Sequence, residues 1–176
     1  DQLIHYDKVI LPGVGAFEDA MRLIRDKNFD EALIEVRNSG KFILGICLGM
    51  QLLSDRSDER GSNLGLSLIP GEICKIPDLK GYRLPHVGWS DIEIKNKTPL
   101  FTNIPDKSCF YFVHSYRFMC DSKFIAATAE YGHSINAVVQ NEHIFGVQFH
   151  PEKSQRKGFH LINNFIEFVK KQKMGL

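Results

Sequence analysis

In Gly45-Ile46-Cys47-Leu48-Gly49-Met50-Gln51 a cysteine lies between two glycines, where an apolar run gives way to helical spacing. This is the nucleophile-elbow pattern with sulfur in place of oxygen, in which the side chain at a strand-to-helix join projects from the top of a sheet. The glycines let the chain turn sharply and let neighbouring backbone approach. A helix N-terminus beneath the cysteine favours the thiolate, its nucleophilic form. Most free cysteines are merely small buried hydrophobes, so the elbow needs partners. Far downstream, Gln148-Phe149-His150-Pro151-Glu152-Lys153 supplies them. Residues two apart in an extended stretch project to the same side, so Glu152 stays near His150 while Pro151 stiffens the link. Cys47 as nucleophile, His150 as base and acid, and Glu152 as the group orienting the imidazole would cleave an acyl bond through a thioester.

Such a reaction also needs donors for an oxyanion. The N–H of Leu48, the residue after the nucleophile, is one by the geometry of an elbow, and the turn after the first strand is the usual source of the other. Pro12-Gly13-Val14-Gly15 occupies that place. Pro12 has no N–H, so the donor is Gly13 or Val14, and a glycine-rich turn can flip a peptide to present or withdraw it. A plain tight turn or a phosphate loop is the alternative, but no GxxxxGK[ST] or GxGxxG follows.

The elements that must position these residues are legible in the hydrophobic spacing. Residues 8–11 read as a buried strand, and residues 16–28 as a helix with Phe17, Ala20, Met21 and Ile24 on one face. Asp30 is placed to cap a second helical stretch carrying Leu33, Ile34 and Arg37, residues 41–46 are a second buried strand, and a helix begins near Leu48. Two strand-to-helix units imply parallel pairing with right-handed crossovers, an α/β fold in which ligands collect at the carboxyl ends of strands. Residues 55–63 read as a polar surface loop. Strands are expected at 73–76, 90–94, 109–113, 124–128, 135–139 and 144–149, with short turns that suggest antiparallel additions. Residues 154–173 form a closing amphipathic helix with Phe159, Ile162, Phe165, Ile166 and Val169 on one side.

The 176 residues fit one domain, and 43% hydrophobic with 24% charged residues disfavours disorder and coiled coil. A net charge of +1 lacks the basic excess that nucleic-acid binding needs. No apolar run approaches the ~18 residues of a membrane span, and the first residues lack a signal peptide's pattern. Cys47, Cys74, Cys109 and Cys120 form no CxxC pair, and His, Cys and Glu lack metal-ligand spacing. The expectation is a cytoplasmic protein without metal or cofactor.

The three chemical pieces, in this order, resemble the class I (triad) glutamine amidotransferases, whose signature is GxCxGxQ followed by HPE. Within that group, LPGVGAF at 11–17, GICLGMQLL at 45–53, LPHVGW at 84–89, YFVHSY at 111–116 and GVQFHPEKS at 146–154 resemble the glutaminase subunits of imidazole-glycerol-phosphate synthase. The resemblance implies a flavodoxin-like α/β fold over residues 1–176 as a single domain, with a mixed, mostly parallel central sheet flanked by helices. It implies glutamine hydrolysis to glutamate and ammonia, with ammonia passed to a (β/α)₈-barrel synthase subunit in histidine biosynthesis.

Carried over by residue, the triad falls on Cys47, His150 and Glu152, and the reorienting oxyanion strand on Gly13 and Val14. Gln51 and Glu59 fall where glutamine's amino-acid end is held, and Ser115 and Tyr116 where its carboxylate meets backbone. Pro85, Trp89, Tyr111 and Lys153 fall on the surface facing the synthase, although a half-buried core aromatic is an equal reading of Trp89 alone. The family also begins with a β-α-β unit of roughly 35–40 residues before LPGVG that this sequence does not hold, and has Asn where Ser90 stands. Two alternatives follow: a paralogous subunit feeding ammonia to another synthase, such as one amidating a surface sugar, and a catalytically silent binding module.

Overall fold

The computed structural model describes residues 2–174, and it is built around a strand with nowhere to meet water. β2 (Phe42–Cys47) is buried from Ile43 onward. It is flanked in parallel by β1 (Lys8–Gly13) and β11 (Ile144–Val147). A strand buried on both faces is the continuous apolar run that the sequence shows at 42–46. One face receives α1 (Phe17–Asp26), α2 (Phe29–Asn38) and the short α3 (Leu48–Leu52), through Phe17, Met21, Leu33, Val36 and Met50. The other receives α4 (Gln155–Met174), through Leu161 and Phe165 against Phe145 and Val147.

Beyond β11 the sheet continues through β10 (Ser134–Asn141), β9 (Ile125–Glu130), β6 (His86–Ile94) and β7 (Cys109–His114), in the order β1-β2-β11-β10-β9-β6-β7. The sheet is mixed, as expected, but its parallel part is smaller than "mostly": β1, β2 and β11 are parallel, and every later pairing is antiparallel. The reason is the chain between strands, since β9, β10 and β11 are joined by turns too short for a crossover. A second sheet, ordered β4-β3-β5-β8, combines β3 (Arg56–Ser57), β4 (Asn63–Leu64), β5 (Glu72–Lys75) and β8 (Tyr116–Met119).

Several boundaries differ from the sequence reading. The polar stretch 55–63 contains β3 and the start of β4, strands of two residues whose pattern is too short to see. The strand expected at 109–113 is followed directly by β8, which the sequence reading did not place; a corner at Ser115 separates them, so that β7 pairs with β6 and β8 with β5. β6 starts at His86, before the expected residue 90. The N-cap of α2 is Asn28, in the left-handed region at φ 55°, and Asp30 lies in the first turn. On α4, Leu161 and Phe165 are buried whereas Phe159 is 70% exposed, because the buried face runs through 158, 161 and 165. Val169 lies outside the residues whose side chains are described.

α3 lies against β1 closely enough that a Cβ on Gly49 would sit 1.7 Å from the carbonyl oxygen of Leu11. A Cβ on Gly45 would sit 2.6 Å from the carbonyl oxygen of Gly49. Backbone cannot yield as a flexible side chain does, so Gly49→Ala is expected to cost about 3 kcal/mol or more. Gly81→Ala, at φ +94° with open space around it, is expected to cost only about 1–2 kcal/mol of local strain. Urea denaturation of the two variants checks the ranking.

Candidate active site

Parallel pairing brings three chain segments to one end of the sheet. β1 ends at Gly13, in register with Cys47 at the end of β2. β11 pairs Val147 with Ile46, so Gln148 and His150 leave the sheet beside Cys47. This is the carboxyl end of the strands, where open α/β sheets bind ligands.

The turn at the elbow is made by the cysteine itself. Cys47 has φ 53° and ψ −110°, a conformation costing on the order of 1–3 kcal/mol for a residue with a Cβ. Gly45 and Gly49 keep ordinary φ; they are needed for close backbone approach and not, as the spacing suggested, for the sharp turn. The Cys47 thiol is buried, at 3.8 Å from the carbonyl oxygen of Val113, to which it donates, and 3.8 Å from Nε2 of Gln148, from which it accepts.

Burial pushes the thiol up to about 11, and the Glu152 carboxylate acts in the same direction. The N–H of Leu48, the Lys153 ammonium and the Gln148 amide oppose it. The helix N-terminus therefore favours the thiolate, as anticipated, but desolvation outweighs it. In the resting chain Cys47 is a thiol and needs a base.

His150 is buried in the same cleft, with Nδ1 2.7 Å from Oε1 of the half-exposed Glu152. A carboxylate only accepts, so Nδ1 carries the proton and Nε2 is left as the basic nitrogen. The peptide N–H of His150 donates to the carbonyl of Tyr111 at 2.8 Å, which ties the imidazole to β7.

The cleft measures about 280 Å³ and is lined by Val14, Cys47, Leu48, Gln51, Glu59, Pro85, Ser115, Tyr116, His150 and Lys153 among others. Its volume is near the lower end of the roughly 300–1,000 Å³ typical of small-molecule sites. Gln51 is buried, and its Nε2 donates to Oε1 of Gln148 at 3.1 Å and to the carbonyl of Tyr116 at 3.4 Å. Oε2 of Glu59 accepts from the N–H of Phe17 at 2.8 Å, so a carboxylate from the polar stretch anchors the start of α1 just beyond the Pro12–Gly15 turn. Val14 in that turn is 80% exposed at the cleft mouth, whereas Gly13 is held in β1.

Trp89, Tyr111, Lys153 and Pro85 gather on one surface. Trp89 pairs with Tyr111 across β6 and β7, with ring centroids 5.7 Å apart and nearly perpendicular, and Nζ of Lys153 lies 5.9 Å from the Tyr111 ring. At 47% exposure Trp89 is a surface aromatic and not a core one.

The sequence reading missed Gln148, fully buried and bonded to both Gln51 and Cys47. A buried glutamine just before the His-Pro-Glu run was the available signal. It took His114 for a structural hydrogen bonder without a proton-transfer role and passed over His86; the two are buried and meet at the wall of the cleft. Among the described residues no group of three His, Cys, Asp or Glu could hold a metal ion.

The family model for class-I glutamine amidotransferases matches residues 2–168. The chain belongs to this family. It is 48% identical over 161 residues to imidazole glycerol phosphate synthase subunit HisH 1 of Campylobacter jejuni (strain RM1221), which covers 91% of this chain and 80% of that protein. It is 45% identical over 177 residues to subunit HisH 2 of Vibrio vulnificus (strain YJ016), with 100% and 83% covered. Among solved structures, PurLQS from Thermotoga maritima superposes with a TM-score of 0.68 at 20% identity, over 93% of this chain and 80% of that one, a likeness of fold.

A thiol held at about 11 is expected to react slowly with iodoacetamide at neutral pH. In this amidotransferase the rate of Cys47 alkylation, followed by mass spectrometry, should keep rising as pH increases toward 11, since only the thiolate attacks. A plateau reached by pH 8 would contradict the dominance of burial.

Proposed function

We propose that this amidotransferase hydrolyses glutamine through Cys47, His150 and Glu152 and delivers the ammonia to a synthase subunit. The observation that carries the assignment is the convergence, in one cleft at the carboxyl ends of β2 and β11, of a buried thiol and an imidazole bound through Nδ1 to a carboxylate. The sequence relatedness to the HisH subunits supports imidazole-glycerol phosphate and histidine biosynthesis as the destination.

His150 Nε2 takes the thiol proton as Sγ bonds to the carboxamide carbon of glutamine. The charge that develops on the amide oxygen is met by the N–H of Leu48 and by a peptide N–H at Gly13 or Val14 once the turn presents it. The C–N bond then breaks, His150 returns the proton to the departing ammonia, and a glutamyl thioester remains on Cys47. Water attacks the thioester with His150 again as base, releasing glutamate and restoring the thiol. Gln51, Glu59, Ser115 and Tyr116 line the cleft where the amino-acid end of the substrate would rest. Glutamine is held there as substrate, and the chemistry calls on no cofactor.

The surface of Pro85, Trp89, Tyr111 and Lys153 is the proposed docking face for a (β/α)₈-barrel synthase. It touches the site directly, since Tyr111 holds the backbone of His150 and both Pro85 and Lys153 line the cleft. Residues 1–176 act as one amidotransferase domain in this reading. All four cysteines are free, and no helix among the described residues is long and apolar enough to cross a membrane; we place the activity in the cytoplasm. A second reading keeps the chemistry and changes the recipient synthase. Ser90 on the docking strand favours it, and two relatives carry the numbered names HisH 1 and HisH 2.

Ammonia release from glutamine by the complex with a histidine-pathway barrel subunit tests the proposal. Cys47→Ala should lower it by roughly 10³-fold or more, while synthesis driven by added ammonium persists. Glutamine turnover that survived Cys47→Ala would overturn the mechanism. A wild-type chain that takes a glutamine analogue on Cys47 but is not stimulated by the barrel would point to a different synthase.

A further inference from the structure

At the wall of the cleft two buried imidazoles meet, His114 lining it and His86 beyond, and neither belongs to the triad. Nδ1 of His86 lies 3.0 Å from Nε2 of His114, Nε2 of His86 lies 3.0 Å from Oγ of Ser90, and Nδ1 of His114 lies 2.8 Å from the carbonyl oxygen of Tyr116. The direction of every bond follows from one fixed end. A carbonyl only accepts, so Nδ1 of His114 carries a proton. With His114 neutral, its Nε2 must accept from a proton on Nδ1 of His86, and Nε2 of His86 must accept from the Ser90 hydroxyl.

The surroundings keep both rings neutral. His86 is sandwiched between the rings of Tyr131 at 3.9 Å and Phe112 at 5.0 Å. Burial pulls it down to about 4. His114 is likewise pulled down to about 4, by burial first; the Tyr116 carbonyl opposes this, and the neighbouring imidazoles of His86 and His150 add to it.

We infer that Ser90, His86 and His114 form a directed hydrogen-bond relay whose task is to position the substrate-holding wall of the cleft. Its last acceptor, the Tyr116 carbonyl, also receives the Gln51 amide, and Gln51 holds Gln148, which donates to the sulfur of Cys47. The relay thus runs from the strand that displays Trp89 to the nucleophile, through residues lining the cleft. His114 and His86 are positioning residues, acting through Tyr116 and Gln51. Ser90 needs only to donate, a duty an asparagine amide at that position also performs. The assignment rests on the reading that the cleft holds glutamine.

The test compares His114→Leu with His114→Asn in the complex with the barrel subunit. Asparagine can place an amide N–H near the position of Nδ1 and keep the bond to Tyr116, whereas leucine fills the space and leaves that carbonyl with only the longer bond from Gln51. His114→Leu should raise the KM for glutamine about tenfold or more, with a smaller fall in kcat. His114→Asn should recover most of the loss. Alkylation of Cys47 by iodoacetamide reads the far end of the relay, where Gln148 meets the sulfur, and its rate should change in His114→Leu more than in His114→Asn. Equal impairment of the two variants, or an unchanged KM in a folded His114→Leu, would overturn the relay. Its direction is read independently of turnover by ¹⁵N–¹H correlation spectra of the wild-type chain: both histidines should be Nδ1–H tautomers, and an Nε2–H tautomer or an imidazolium at pH 7 on either would overturn it. Failure of the wild-type complex to turn over glutamine would instead count against the glutaminase reading.

Discussion

A backbone contact without a side chain in it sets the geometry of this protein. Gly49 lies so near the carbonyl of Leu11, and Gly45 so near that of Gly49, that no Cβ fits at either position. The contact draws α3 down onto the ends of β1 and β2, and Cys47 must then turn the chain within a single residue. Its positive φ is strain imposed by that approach. The burial of Leu48, Met50, Leu52 and Leu53 beyond the elbow offsets it. From the same contact follow the nearness of the Leu48 N–H to the sulfur and the position of the Pro12–Gly15 turn beside it.

Burial has opposite consequences for the two kinds of titratable group in this pocket. It raises the thiol of Cys47 and lowers the imidazoles of His86 and His114, since low polarity disfavours whichever form is charged. The resting site is therefore uncharged at its nucleophile and in the wall behind it. In the proposed mechanism charge is created by proton transfer to His150 at the moment of reaction, with Glu152 paired to the ring that receives it. The proposed docking surface is connected to the cleft: the Tyr111 carbonyl accepts from the His150 N–H, and Lys153 both approaches the Tyr111 ring and lowers the thiol.

What the sequence by itself determined lies in local chemistry. The elbow cysteine between glycines, the His-Pro-Glu run and the buried apolar strand at 42–46 are patterns whose meaning is set within a few residues, and Cys47, His150 and Glu152 could be named from them as the candidate triad. The α/β class, the helices at 17–26 and 29–38 and the existence of most strands followed from hydrophobic period. Tertiary structure decided what depends on pairing between distant segments. The division of residues 109–119 at Ser115 becomes visible only when β7 and β8 are seen to join different sheets. Glu59 became the anchor of α1, forty-two positions away in sequence, and Phe159 was left in solvent because α4 docks through 161 and 165. The His86–His114 pair and the bonds of Gln148 to Gln51 and Cys47 had no local signature. A hydrogen bond between side chains that meet across strands costs the sequence nothing in periodicity, so only the register of the folded sheet, which sets which side chains face each other, reveals them.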